Sequence, residues 1–139
     1  MFKHVVLAAD GSTHSFRAAE KAIELLKRYE SAIVDIVYVV DESTSKADVL
    51  HHNNPLEIEK NRKEKLETTI QLFKKSNIHY KVTILYGDPC KKLVNYVNES
   101  AYDCVVVGSR GLNRFQSMVL GSVSHKVAKH VQCPVLIVK

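Results

Sequence analysis

Residues 108–139 contain no aspartate or glutamate, although they carry Arg110, Arg114, Lys126, Lys129 and Lys139. The remaining fifteen lysines and arginines are balanced by fifteen acids, all within residues 1–107. The net charge of +5 therefore belongs entirely to the last segment. A local basic excess favours an anionic partner, but this one is too sparse for a nucleic-acid stripe. Cysteine is also scarce. Cys90, Cys104 and Cys133 form no C-x-x-C pair, so neither a disulfide framework nor a zinc knuckle is indicated. Cys104 and Cys133 read as small core residues. The start, MFKHVVLAAD, lacks the apolar stretch and small-residue cleavage site of a signal peptide. No apolar run approaches the roughly 20 residues that cross a bilayer. The expectation is a soluble cytoplasmic protein that engages neither membrane nor nucleic acid, and 139 residues suit one domain over 1–139.

Periodicity divides the chain into alternating elements. Val5 to Ala9 is a short apolar run of strand type, and Thr13 to Tyr29 follows with Phe16, Ala19, Ile23, Leu26 and Tyr29 at helical spacing. Ile33 to Val40 is β-branched and aromatic, hence a strand. Asp41 to Pro55 shows no period and reads as a long loop. A charged helix over Leu56 to Ser76 and a strand over Tyr80 to Tyr86 come next. Asp88-Pro89 then opens a helix, because Asp supplies a capping oxygen and Pro tolerates the first helical position. Asp103 to Val107 is a strand, Ser122 to Val131 a helix, and Val135 to Val138 a final strand. This order predicts an α/β fold: a single doubly wound open sheet of five parallel strands with helices on both faces. Such sheets bind ligands beyond the carboxyl ends of their strands. Asp10, the stretch from Val39 to Asp41, and the loop after Val107 are therefore the places to search.

Glycine is scarce too, yet three of the five glycines are Gly108, Gly111 and Gly121. Gly108-Ser109-Arg110-Gly111 directly follows a buried strand, where glycine permits positive φ or close backbone approach. Successive N–H groups in such a turn form an anion-binding concavity. Gly121-Ser122 opens the next helix, whose N-terminus suits phosphate. Ser122 and Ser124 add hydroxyls and Arg110 a cation. The sequence has neither G-x-x-x-x-G-K-[ST] nor G-x-G-x-x-G, so it is neither a Walker loop nor a dinucleotide fingerprint. Spacing alone leaves a phosphate grip and an ordinary turn with a helix cap equally open. Asp10 likewise reads as a ligand contact or as the cap of the first helix. Asp41 reads as a solvent-facing strand end. His51-His52 lacks a third ligand for a metal.

The spacing Gly108-x2-Gly111-x9-Gly121-Ser122 resembles the G-2x-G-9x-G-(S/T) signature of the ATP-binding universal stress proteins. HVVLAADGSTHSFRAAEKA, YVVDE and CPVLIVK resemble that family's first, second and last strand regions, so the likeness spans the chain. The resemblance implies ATP with Mg2+ or Mn2+ as ligand. It places Asp10 near the ribose or the metal-bound phosphates, with Ala8 beside it. Val39 offers its main chain to the adenine edge, and Val107 packs by the sugar or base. Gly108, Arg110 and Gly111 form one phosphate loop; Gly121, Ser122, Val123 and Ser124 form the other. Ala8-Ala9 departs from the pattern of relatives that carry proline and a small polar residue there.

Hydrolysis requires a positioned water, an orienting group and charge stabilisation. Asp10, Ser122 and Arg110 are available, but no Walker-B acid or P-loop lysine is evident. The resemblance accordingly implies a regulatory nucleotide binder with at most slow ATPase activity. A stress-response dimer with a vestigial site is the alternative. The resemblance also implies a homodimer that pairs Val135, Leu136, Ile137 and Val138 with their counterparts.

Overall fold

The computed structural model describes residues 2–51, 54–110 and 121–139. Five strands, β1 (His4–Ala8), β2 (Ile33–Val40), β3 (His79–Tyr86), β4 (Cys104–Gly108) and β5 (Val135–Val138), form one sheet in the order β3-β2-β1-β4-β5. Every pairing is parallel, as the alternating element order predicts. The helices are α1 (Thr13–Leu26), α2 (Glu42–His51), α3 (Pro55–Lys75), α4 (Pro89–Asn98) and α5 (Ser122–His130). Because β1 leads through α1 to β2 on one side while β4 lies on its other side, the direction in which successive strands are added reverses between β1 and β4. That reversal opens a crevice at their carboxyl ends.

Strand side chains alternate between two cores. Val5, Leu7, Val34, Ile36 and Val106 pack on one face against Ala18, Ala22 and Leu26 of α1 and Leu66 and Phe73 of α3. Val6, Val37, Val105 and Val107 pack on the other face against Leu93 and Val97 of α4 and Val127 of α5. Burial on both faces explains why the inner strands are nearly continuous apolar runs. Ser12 caps α1 by accepting the Ser15 N–H, Asn54 caps α3 through the Leu56 N–H, and Asp88 caps α4 through the Lys91 N–H.

One buried charge interrupts the second core. Asp35 in β2 is 1% exposed and accepts hydrogen bonds from the hydroxyls of Thr83, Tyr96 and Tyr102. Lys81 Nζ lies 3.5 Å from it and has its pKa raised by that carboxylate. Burial, with these hydrogen bonds, pushes the Tyr102 hydroxyl well above its ordinary value. Three donors and a cation provide the compensation that a buried carboxylate requires.

The segment read from sequence as a loop, Asp41 to Pro55, contains a helix, α2. Its first turn is closed by the Ser45 N–H donating to the Asp41 carbonyl at 2.9 Å, and Lys46 pairs with Glu42 one turn away. Among its described side chains only Asp48 is buried. A helix docked through one polar residue carries no apolar stripe, so periodicity cannot reveal it. His51 ends this helix, and His52 lies outside the described residues.

Candidate functional site

A cleft of about 360 Å³ opens at the carboxyl ends of β1, β2 and β4. Ala8 and Asp10 line it from β1 and the turn that follows. Asp10 Oδ1 accepts the Ser12 N–H at 2.8 Å, and the Asp10 N–H donates to Ser15 Oγ. Asp10 thus shapes the turn into α1, while the capping role that sequence left open for it belongs to Ser12. Gly11, at φ +82°, makes the turn possible in a region that side chains disfavour.

From β2 and the residue that follows it come Val39 and Asp41. Val37 directs its carbonyl toward β1, where it accepts the Ala9 N–H, and Val40 directs its carbonyl toward β3, where it accepts the Gly87 N–H. Main-chain groups alternate sides along a strand, so those of Val39 point to the β1 side. The pairing of β1 with β2 ends at Ala8 and Val37. The Val39 main chain therefore faces the cleft beyond the end of β1. Asp41, expected in solvent, is part of the lining.

Val107, Gly108 and Arg110 line the cleft from β4 and the residues after it. Gly108 is not at positive φ; its glycine requirement is one of space. A Cβ there would lie 2.9 Å from the main-chain carbon and oxygen of His14 in α1. Gly111 lies outside the described residues. Gly121, Ser122, Val123 and Ser124 line the cleft from the start of α5. Alone among the four helices with a described N-cap, α5 has no side-chain capping bond, because its N-cap is Gly121. Its first-turn N–H groups lack helical partners by construction. The Ser124 hydroxyl, expected as a ligand donor, instead donates to the carbonyls of Ser109 and Gly121.

A further wall was missed in the sequence: Asp88, Pro89, Cys90 and Leu93 at the start of α4, with Lys126 from α5. The signal was present. Asp88-Pro89 marks a helix start immediately after a strand, and in a doubly wound sheet such starts face the crevice. The Cys90 Sγ lies 3.9 Å from the Ser122 carbonyl oxygen, and burial, then the nearby Asp88, pushes its thiol above the ordinary range. Cys104 is buried in the core, as expected, with its thiol pushed up to about 11 by burial. Cys133 is partly exposed.

Charge is distributed unevenly across the cleft. Asp10, Asp41 and Asp88 follow β1, β2 and β3, whereas Arg110 and Lys126 lie after β4 and in α5. Asp10 and Asp41 lie on the β1–β2 side of the crevice and Arg110 lies after β4. Asp88 and Lys126 share the wall formed by α4 and α5, where both act on the Cys90 thiol. The β1–β2 side is thus acidic, and the basic side is that of Arg110 and Lys126. Among the described residues no group of three His, Cys, Asp or Glu side chains could hold a metal ion by itself. No described helix is long and apolar enough to cross a membrane.

The whole chain, residues 1–139, matches the model of the universal stress protein family. Universal stress protein YxiE of Bacillus subtilis is 30% identical over 155 aligned positions that cover 100% of both chains. Among solved structures, universal stress protein UspA from Lactobacillus plantarum shares the fold with a TM-score of 0.80 at 21% identity, over 99% of this chain and 98% of that one. A universal stress protein in complex with cAMP matches with a TM-score of 0.72 at 25% identity, over 99% of this chain and 96% of that one.

Proposed function

The chain belongs to the universal stress protein family, and from that premise we propose that its cleft binds an adenine nucleotide, ATP with Mg2+ or Mn2+, as a regulatory module. The observation that carries this reading is the uncapped start of α5 facing the basic half of the cleft. A helix N-terminus without a side-chain cap presents N–H groups and a positive dipole end to an anion. Arg110 and Lys126 lie on the same side. The acidic half suits the other end of the ligand, because carboxylates accept from ribose hydroxyls. Val39 would meet the adenine edge with one N–H and one C=O, and Val107 and Ala8 would supply apolar contact. The relative in complex with cAMP supports an adenine ligand for a cleft of this architecture.

The residues present fit a divalent ion only as part of a metal–nucleotide complex. Mg2+ commonly takes one or two carboxylates and completes its shell with phosphate oxygens and water. Asp10 is the residue that would hold it. We read the module as a sensor with at most slow ATPase activity. β5 is an edge of the sheet, with Leu136 38% exposed. An unprotected apolar edge invites pairing, and we assign it to a homodimer through Val135 to Val138.

The test is to denature the purified protein and identify any released nucleotide by mass spectrometry. Protein that emerges empty is then titrated with Mg-ATP, and its melting followed. Ligand at about 100 times its dissociation constant stabilises by about 2.7 kcal/mol. A shift with ATP supports the reading; no released nucleotide and no shift with ATP, AMP or cAMP leaves the dimer with a vestigial site. Phosphate release over hours separates a slow ATPase from a pure binder.

A further inference from the structure

The three acidic rim segments of the cleft are braced from behind by a single turn of α3. Arg62 is 9% exposed; its Nε donates to Asp48 Oδ2 at 2.8 Å. Its guanidinium also lies over the Tyr86 ring, 5.5 Å from the centroid. Asp48 is the buried residue among the described side chains of α2, the helix that begins directly after Asp41. Tyr86 is the last residue of β3, two positions before Asp88. One turn along α3, Lys65 Nζ lies 3.6 Å from the other oxygen of Asp48. The main chain of Lys65 packs against Gly11, where an added Cβ would be 3.4 Å from the Lys65 carbonyl oxygen. Gly11 follows Asp10. The buried Tyr38 hydroxyl beneath them has its pKa pushed up to about 12, by burial first and then by Asp48, with Asp10 and Asp41 contributing and Arg62 opposing.

We propose that Arg62 is a positioning residue for the cleft, holding the Asp41 rim through Asp48 and the Asp88 rim through Tyr86. The guanidinium can do both because it is planar: its edge pairs with a carboxylate while its face stacks on an aromatic ring. A lysine ammonium has no such face. Asp48 is the one buried residue among the described side chains of α2, so its ion pairs with Arg62 and Lys65 are the described buried hold on that helix. The consequence for affinity rests on the reading of the cleft as a nucleotide site; the consequence for rim order does not.

Four proteins decide the matter: wild type, Arg62→Lys, Asp48→Asn and Tyr86→Leu. Tyr86 is 59% exposed, so its replacement leaves the fold intact even if a change at Arg62 does not. Amide hydrogen exchange over Glu42–His51 reports α2. Iodoacetamide labelling of Cys90, resolved from Cys104 and Cys133 by peptide mass, reports the Asp88 rim. Asp48→Asn should speed exchange in α2 about tenfold and leave Cys90 labelling near wild type. Tyr86→Leu should do the reverse. Arg62→Lys should loosen the Asp88 rim fully and α2 in part, and weaken Mg-ATP binding several-fold in calorimetry. The proposal is overturned if Arg62→Lys alters neither region, or if all three variants loosen both regions together in proportion to their loss of melting temperature. If wild type binds no adenine nucleotide, the proposed function fails, yet exchange and labelling still decide the role of Arg62.

Discussion

The Gly121 N–H donates to the Ser109 carbonyl at 2.6 Å, tying the strand-end turn to the start of α5. The Ser124 hydroxyl donates to the same oxygen at 3.0 Å. This clamp sets the distance between the two donor-rich segments. Ser124→Ala removes one of its two bonds and should lower stability by about 1 kcal/mol. Nucleotide affinity should fall several-fold because the spacing of the two segments loosens. Urea denaturation and calorimetry measure the two effects; equal affinity in the variant would show that the clamp does not tune the site.

Gly108 is constrained by its neighbour. A methyl group there would press on the main chain of His14, which cannot rotate away as a side chain could. Gly108→Ala should therefore destabilise by about 1–3 kcal/mol through overpacking and shift α1 away from β4. The change reads out as a lower urea midpoint with an unchanged slope, and a neutral substitution would contradict the close approach.

The Asp35 network predicts a contrast between two members of one cluster. Asp35→Ala removes the acceptor shared by the part-buried hydroxyls of Thr83, Tyr96 and Tyr102 and should cost about 1–3 kcal/mol. Lys81→Met removes only a largely exposed cation, 58% accessible, and should cost under about 1 kcal/mol. Comparable losses from the two changes would mean that the ion pair, rather than the hydroxyls, satisfies Asp35.

Asp103 gives the acid limb of stability. Its Oδ2 accepts the His4 N–H at 2.8 Å and the Lys3 N–H at 2.7 Å, and these bonds, His4 first, hold its pKa below the ordinary range. A carboxyl with a lowered folded pKa stabilises above its unfolded value of about 3.9, and that contribution disappears as pH falls through the folded value. Asp103→Asn should thus be less stable than wild type by about 1 kcal/mol near neutrality. The gap should narrow once the pH falls below the ordinary carboxylate range and close as the wild-type carboxyl protonates. Parallel pH profiles for the two proteins would remove this assignment.

The edge strand supplies the last test. Leu136 lines a shallow groove with Leu25, Lys21 and Glu24 of α1. Leu136→Lys places a charge on the exposed face of β5 and should convert a dimer to monomer in sedimentation at micromolar concentration, with little loss of monomer stability. A wild-type monomer, or an unaltered dimer in the variant, would exclude this edge as the interface.

Much of this was legible in the linear chain. β2 and β5 begin and end where their apolar runs do, because buried parallel strands admit little else. The cleft was legible at Asp10, Val39 and Gly121, because strand ends and glycines mark it. α2 was not, because its hold on the protein is Asp48 and not a stripe. Asp41 and Asp88 were legible as a strand end and a helix start, both positions that a doubly wound sheet turns toward its crevice, but only the packing of α4 on α5 brings the Asp88 segment into one wall with Lys126.

The amino-acid order by itself determined the succession of strands and helices, the spacing of Gly108 and Gly121, and the concentration of positive charge after residue 107. Each depends on neighbours in sequence. Only the tertiary structure decided the strand order, and with it the separation of Asp10 and Asp41 from Arg110 across one crevice. Only there does Gly108 meet His14, and only there does Ser124 turn to Ser109. These relations join residues far apart in the chain, and their geometry is set by which strands lie side by side.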